Sequence, residues 1–166
     1  MLTAAQIGPA SFAPFGEVID TDGDPTVLSN GGRCERYTDL ARLEAVDGQI
    51  GLCLFHSETF TLPYRCDLLE RHPFGSQCFV PMGGSAYLVT VAEDRDGTPG
   101  PVQAFLAAPH QAVNLARNIW HGVLAPIGGS GLFAVIDRIG SGGNLEEYRL
   151  DIPVRISAPP GWTSVK

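Results

Sequence analysis

The amino-acid sequence predicts an all-β domain built as a barrel or a sandwich. Its 166 residues contain 20 glycines and 13 prolines, whereas average usage would give roughly 20 of these two residue types combined. Short apolar segments recur between turn-forming residues about every ten positions, a spacing typical of barrels and sandwiches. From Tyr64 to His72 the residues also alternate with the period of two that a strand imposes. The many turns disfavour a helical bundle.

The individual elements are predicted, in chain order, at the apolar segments that lie between turns. A short helix or turn is expected within residues 3–15, followed by a strand at residues 16–19. The other strands are predicted at residues 50–56, 60–72, 79–82, 86–91, 102–106, 112–116, 123–127 and 132–138.

Several finer expectations attach to these elements. Strand 50–56 is expected to be mostly buried, and the strands around Gly83-Gly84 are expected to form a hairpin. Asn144 with Glu147 three residues later resembles a capping box, so a second short helix is predicted at residues 144–149. The domain is expected to span residues 1–166, with a poorly ordered tail at 157–166.

Composition and charge exclude several classes of protein. With 44% apolar and 17% charged residues, the chain is expected to be globular rather than disordered. The net charge of −7 and pI near 4.9 argue against nucleic acid as a partner. No apolar run approaches the ~20 residues of a membrane span, and no signal peptide is expected. The cysteines at 53, 66 and 78 are interpreted as small buried hydrophobes in a protein of the reducing cytoplasm.

The segment around His72 concentrates residues that carry chemistry. Tyr64, Cys66, Leu68, Glu70 and His72 share one parity, so they are predicted to share one face of a strand. Because this set is apolar until its last two members, we interpret it as the inward face. Glu70 and His72 are therefore expected to point into the protein, just before a bend at Pro73.

The spacing of these residues is similar to the first cupin motif, His-x-His, three or four residues, Glu, six residues, Gly. Here Glu70 and His72 stand for the two histidines and Gln77 for the glutamate, with Gly84 seven positions later. His121 matches the histidine of the second cupin motif. If a metal is bound, its predicted ligands are Glu70, His72, Gln77 and His121. That set suits octahedral Ni, Mn or Fe more than four-coordinate zinc.

A closer resemblance extends from about residue 12 to about residue 150. The matching motifs are Asn30-Gly31-Gly32, Glu35-Arg36-Tyr37, Asp39-Leu40-Ala41, Leu69-Glu70-Arg71-His72-Pro73, Gln77-x-Phe79-x-Pro81-Met82, Val113-Asn114, Trp120-His121 and Asp137-Arg138. On these motifs the chain resembles the ureidoglycolate lyase family. One departure is Gly122, since the family commonly shows Trp-His-His at this point.

The resemblance implies a cupin-like β-barrel, also described as a double-stranded β-helix or jelly roll. It implies a homodimer that releases urea and glyoxylate from (S)-ureidoglycolate in allantoin and purine breakdown. No cofactor is expected to be required, although a weakly bound divalent metal is compatible with the ligand set. The expected partner is a small-molecule substrate, with no nucleic acid and no membrane.

Ureidoglycolate is a carbinolamide, so its cleavage needs a base for the hydroxyl and an acid or donor for the departing urea nitrogen. His72 is the first candidate because imidazole titrates near working pH; the alternative is a structural histidine. Glu70 would orient His72, ligate a metal or form a salt bridge. His121 is the third catalytic candidate, and Gln77 suits a urea amide. Each of these residues also has a purely structural alternative.

The substrate carboxylate calls for a cation, and arginine gives bidentate pairing. The candidates are Arg36, Arg117 and Arg138, while Arg71 has the wrong parity for the interior; Asn114 is a further substrate-binding candidate. His56 and His110 are expected at the surface. Two other functions stay open: another small-acid cupin enzyme, or a non-catalytic cupin that binds a small molecule.

Overall fold

The computed structural model of the chain describes residues 1–163 and consists mainly of strands. Helix is limited in this range to α1, Pro9–Phe12, and a 3-10 turn at Asn30–Gly32. The strands are β1 Leu2–Thr3, β2 Ala5–Gln6, β3 Gly16–Ile19, β4 Val27–Ser29, β5 Cys34–Arg36, β6 Gln49–His56, β7 Tyr64–Arg71, β8 Gln77–Pro81, β9 Tyr87–Ala92, β10 Asp94–Arg95, β11 Thr98–Pro99, β12 Gln103–Ala107, β13 Ala112–Leu115, β14 Trp120–Gly122, β15 Ala125–Pro126, β16 Leu132–Ile139 and β17 Glu146–Ser157.

Two sheets form the body of the protein. The larger has the order β1-β17-β7-β14-β9-β12-β2, with β15 also paired to β9, and the smaller has the order β3-β13-β8-β16-β6. Two short hairpins, β4–β5 and β10–β11, stand apart from them. The predicted all-β, barrel-like fold with one or two short helices is confirmed.

Two apolar clusters hold the sheets. The inner cluster lies between the sheets and includes Phe79, Val113 and Phe133 from the smaller sheet, with Val89 and Val91 from the larger. The outer cluster lies on the other face of the larger sheet, where Leu88 and Ala92 alternate with those valines; its further members include Cys66, Leu69, Leu106 and Trp120. Each large side chain buried in this way contributes roughly 1.5–3 kcal/mol.

The predicted hairpin around Gly83-Gly84 is wrong. β8 pairs with β13 and β16 in the smaller sheet, whereas β9 pairs with β12 and β14 in the larger. The chain therefore crosses between sheets at this turn. Both strands contribute side chains to the inner cluster. The sequence pattern cannot distinguish the two arrangements, because strands joined by a hairpin and strands in two facing sheets can both bury apolar side chains in one core.

The predicted helix at 144–149 is also wrong, because Glu146–Ser157 forms the long strand β17 along the edge of β7. Tertiary pairing overrides the local capping signal here. Of the predicted strand 123–127 only β15, Ala125–Pro126, forms, and β14 precedes it at Trp120–Gly122.

Strand β6 is not mostly buried. It lies at the edge of the smaller sheet, and Leu52 and Leu54 are 69% and 67% exposed. Cys53 in the same strand is half-buried, while Cys66 and Cys78 are buried as predicted. Burial raises the pKa of both buried thiols to about 11.

The strict alternation predicted for Tyr64 to His72 fails in its first half. Tyr64 and Cys66 pack with Leu69 in the outer cluster, although the sequence pattern places them with Glu70 on the inward face. The pairing of β17 with β7 shifts register between Arg149 and Val154, and such an irregularity changes the face that a strand presents.

The domain limits at 1–166 stay a prediction, as does the tail at 157–166. Its last three residues lie outside the described residues. Within residues 1–163 no helix has both the length and the apolar character needed to cross a membrane.

Candidate active site

Strand pairing brings Glu70 and His121 side by side. His121 in β14 lies directly opposite Glu70 in β7 and opposite Val91 in β9. Because directly paired residues share a face and Val91 belongs to the inner cluster, both side chains lie on the inner face of the larger sheet. His72 follows β7, and its ring centroid lies 5.3 Å from that of His121.

These three residues form one compact group. One potential ligand atom from each of Glu70, His72 and His121 lies within 4.8 Å of the others. The three residues that the sequence predicts to be catalytic are therefore together, although their roles stay a prediction. Their chemistry depends on the hydrogen bonds that each one makes.

His72 is held by a backbone carbonyl. Its Nδ1 lies 2.6 Å from the carbonyl oxygen of Asn144, so Nδ1 must carry the proton and donate it. Its Nε2 is buried and has no hydrogen-bond partner. In the neutral ring this Nε2 carries a lone pair, as a general base or a metal ligand requires.

His121 is neutral at ordinary pH. Burial, followed by the neighbouring His72, lowers the pKa of His121 to about 3, while the Gly122 carbonyl acts in the opposite direction. Its Nδ1 lies 3.1 Å from that carbonyl and 3.9 Å from Glu70 Oε1. Its Nε2 is buried without a partner and offers a second lone pair.

Glu70 borders an open cavity. Burial raises its pKa above the ordinary value, His72 lowers it, and Glu147, which is opposite it in β17, raises it further. The cavity has a volume of about 320 Å³, at the small end of ligand pockets. Its lining is mainly apolar, from Phe55, His56, Ser57, Glu70, Phe79, Val123 and Leu124.

Gln77 lies on the inner face of the facing sheet. It is paired with Leu115, a member of the inner cluster, and is 5% exposed. Its Oε1 is buried without a partner. A buried acceptor without a donor is costly, so Gln77 Oε1 and the two imidazole Nε2 atoms call for N–H donors or a cation.

Asn114 is not part of this group. It lies opposite Cys78 and alternates with Val113 and Leu115, so it is on the outer face of the smaller sheet. Its Nδ2 donates to Glu17 Oε2 at 2.8 Å and to the Arg42 carbonyl at 3.1 Å. The structure therefore separates this substrate-binding candidate from Glu70 and His72.

Arg138 is engaged by backbone carbonyls. Its guanidinium donates to the carbonyls of Val46, Asp47 and Ser141 at 2.6, 2.7 and 3.0 Å. Glycines at 48, 75 and 140 make room for it, since a Cβ at each would lie within 2.9 Å of an Arg138 atom. Arg138 thus ties together two loops through its Nε and Nη2 groups.

The other arginines lie outside the group. Arg71 is on the opposite face, as its parity predicts: it pairs with Asp94 and Glu146, each at 2.6 Å, and stacks over Trp120. Arg36, in the β4–β5 hairpin, and Arg117 are exposed.

Two residues of the site are not among those predicted from the sequence. His56 is exposed, as predicted, but borders the cavity beside Glu70. Asn144 supplies the carbonyl that holds His72, where the sequence suggests Glu70 as the orienting group. The contribution of a backbone carbonyl cannot be recognised from residue type. His56 lies two positions after Leu54 at the end of β6, so the period of the strand could have indicated a position at the mouth of the barrel.

Gly122, the departure from the family pattern, faces away from the site. It pairs with Leu69 of the outer cluster, and a Cβ added there would lie 3.2 Å from Thr90 Cβ and 3.5 Å from Cys66 Sγ. A side chain at this position therefore points to the opposite face from His121.

We expect Gly122→His to lower the free energy of unfolding by about 1–3 kcal/mol, because it overpacks a buried position. Urea unfolding measures this loss. Gly122→Ala, which adds only the Cβ, is the graded control. A Gly122→His variant with higher turnover than the parent chain would contradict this orientation.

The comparisons with known proteins agree with the resemblance seen in the sequence. The sequence model described as ureidoglycolate lyase matches residues 1–157. The ureidoglycolate lyase of Rhodobacter capsulatus is 54% identical over 147 residues, which cover 88% of this chain and 91% of that protein. The ureidoglycolate lyase of Mesorhizobium japonicum is 42% identical over 160 residues, or 95% and 98% of the two chains.

Among solved structures, a dTDP sugar isomerase from Desulfovibrio desulfuricans G20 aligns with a TM-score of 0.48 and 19% sequence identity. The alignment covers 82% of this chain and 85% of the isomerase. That likeness is too remote to bear on the reaction.

Proposed function

The chain belongs to the ureidoglycolate lyase family, and on that premise we propose that it cleaves (S)-ureidoglycolate to glyoxylate and urea. The observation that supports this most is a set of unpartnered acceptors: His72 Nε2 and His121 Nε2 beside Glu70, and Gln77 Oε1 on the inner face of the facing sheet. The substrate carries a hydroxyl and a ureido group, which are donors of matching chemistry. Such an elimination needs neither a redox cofactor nor a covalent nucleophile.

His72 is the proposed general base. Its Nε2 lone pair takes the hydroxyl proton, the carbinol carbon–oxygen bond becomes a carbonyl, and the carbon–nitrogen bond breaks. The unpartnered Nε2 and the Asn144 carbonyl on Nδ1 support this assignment. A positioned base of this kind contributes about 10²–10⁴-fold to the rate.

Glu70 is the proposed acid. Burial raises the pKa of its carboxyl, which favours the protonated form needed to give a proton to the departing nitrogen. The neutral His121 is a poor acid, since its pKa lies near 3. His121 Nε2 and Gln77 Oε1 would instead accept hydrogen bonds from the ureido N–H groups. The proton gained by His72 then returns to Glu70 and completes the cycle.

The substrate carboxylate still needs a cation. Arg36 and Arg117 stay the substrate-binding candidates, because both are exposed and therefore available. Arg138 and Asn114, named with them from the sequence, are occupied elsewhere. Arg117 precedes Asn118, whose backbone N–H donates to the His72 carbonyl at 3.2 Å, whereas Arg36 lies on the β4–β5 hairpin outside both main sheets.

Incubation of the purified chain with racemic ureidoglycolate tests this proposal. Glyoxylate and urea should appear in equal amounts, without ammonia, and half of the racemate should remain. Carbinolamides also decompose in water, so the rate is compared with that of His72→Ala at equal concentration. Ammonia as a product, or glyoxylate at the background rate, would refute the proposed reaction.

A divalent metal also fits this site. The fit rests on the unpartnered Nε2 atoms of His72 and His121, the unpartnered Oε1 of Gln77 and the carboxylate of Glu70. A ligand set of two imidazole nitrogens, one amide oxygen and one carboxylate suits Ni, Mn or Fe. A metal bound there would act as a Lewis acid on a substrate oxygen. The base and acid assigned above use the same His72 Nε2 and Glu70 carboxyl in their metal-free form, so we propose that basal turnover needs no metal.

Chelation tests the metal proposal. Calorimetry with Ni²⁺ should give weak binding to the parent chain and none to His121→Gln, while EDTA should leave basal glyoxylate release intact. Elemental analysis of the purified protein checks for an ion that survives purification. Complete loss of turnover with EDTA, restored by one divalent ion, would show that the metal is essential.

We also propose that two copies associate through the open face of β6. Ile50, Leu52 and Leu54 alternate along this edge strand and are 43%, 69% and 67% exposed. Apolar faces of this kind are rarely left to water, and an edge strand is a template for pairing. A second copy can present the same strand in a two-fold arrangement.

Sedimentation at micromolar concentration tests this association. The parent chain should be a dimer and Leu52→Lys a monomer. Ile152→Lys, at an 83% exposed position in β17, is the matched control and should stay a dimer. A parent chain that sediments only as a monomer would refute the proposal. The cytoplasmic location stays a prediction; the four free cysteines fit it.

A further inference from the structure

We propose that Asn144 is a positioning residue that sets the tautomer of His72, an inference that rests on the proposed function. Asn144 makes two hydrogen bonds to the bend that follows β7. Its carbonyl accepts from His72 Nδ1 at 2.6 Å, and its side-chain Oδ1 accepts from the Phe74 backbone N–H at 2.7 Å. The two bonds lie on either side of Pro73.

The side-chain bond fixes where the carbonyl lies. Residues 140–145 connect β16 to β17 and contain glycines at 140, 142 and 143, so this connection is flexible by composition. Arg138 holds its start through the Ser141 carbonyl at 3.0 Å. The Asn144 amide holds its end, directly against the bend. Without that amide, the carbonyl loses its fixed distance from His72.

The carbonyl in turn selects the tautomer. A neutral imidazole has its proton on either Nδ1 or Nε2, and the bond made by one nitrogen determines the state of the other. A carbonyl can only accept, so it keeps the proton on Nδ1 and leaves the lone pair on the buried Nε2. The opposite tautomer would place N–H where the base needs a lone pair.

The ring nitrogens of His72 report this tautomer directly in ¹⁵N–¹H correlation spectra. In the parent chain at pH 8 we expect the Nδ1–H form. Asn144→Ala should give a mixture of tautomers, whereas Asn144→Asp keeps an oxygen acceptor for the Phe74 N–H and should retain the parent spectrum. Leu145→Ala, at an exposed neighbour in the same connection, is the matched control.

Steady-state kinetics gives the second readout. Asn144→Ala should lower kcat about 10-fold or more, as expected when a catalytic group is misplaced, with little change in KM. Asn144→Asp should recover most of kcat, and Leu145→Ala should match the parent. A lower stability alone would not move kcat and the His72 tautomer together.

An Nε2–H tautomer in the parent chain would overturn the inference, even if Asn144→Ala failed to fold. Parent-like kcat and tautomer in a folded Asn144→Ala variant would overturn it as well. A parent chain that releases no glyoxylate would refute the proposed function, while its His72 spectrum would still decide the tautomer.

Discussion

His72→Ala is expected to lower the turnover number for ureidoglycolate by about 10²-fold or more, the usual contribution of one positioned acid–base group. The reason is the Nε2 lone pair, which is buried, unpartnered and held in place through Nδ1. His72→Gln should do little better, because an amide keeps a hydrogen bond but does not titrate. Stopped assays of glyoxylate and urea measure the effect.

The pH dependence separates His72 from its neighbours. Protonation inactivates a base, so kcat/KM should fall as pH decreases if His72 is the base. His121 does not produce that fall, since its pKa is lowered to about 3. The fall should vanish in His72→Ala and persist in His121→Gln. Near-parent turnover and an unchanged pH profile in His72→Ala would move the role to another residue.

Arg138→Met is expected to lower the free energy of unfolding by about 3 kcal/mol. Methionine keeps the apolar stem and removes the guanidinium, so the carbonyls of Val46, Asp47 and Ser141 lose their charged donor. Hydrogen bonds to charged groups contribute about 1.5–3 kcal/mol each, and partial access of water to this side chain limits the sum. Urea unfolding at neutral pH measures the loss.

The same variant distinguishes a structural arginine from a substrate-binding one. Arg138→Lys should recover little stability, because one ammonium cannot replace a planar fork that reaches three carbonyls. Arg36→Met, at an exposed position, should leave stability unchanged and raise KM if Arg36 meets the substrate carboxylate. An Arg138→Met variant with parent stability and a raised KM would restore Arg138 as a substrate-binding residue.

Local sequence determined much of the site. Glu70 and His72 are two residues apart at the end of a strand, so the strand period alone predicts that they project together. The spacing to Gln77 and His121 follows the family pattern, and the structure gathers Glu70, His72 and His121. The all-β class followed from turn spacing, because turn chemistry depends on residues that are adjacent in sequence.

The tertiary structure alone decided which partner each strand takes. Residues 144–149 have a helix-capping pattern, yet the edge of β7 draws Glu146–Ser157 into a strand. That pairing places the Asn144 carbonyl on His72 and its amide on Phe74. Asn114 and Gly122 likewise lie on the outer faces of the sheets, away from the site. Such outcomes depend on contacts between residues far apart in the chain, which residue type and periodicity do not encode locally.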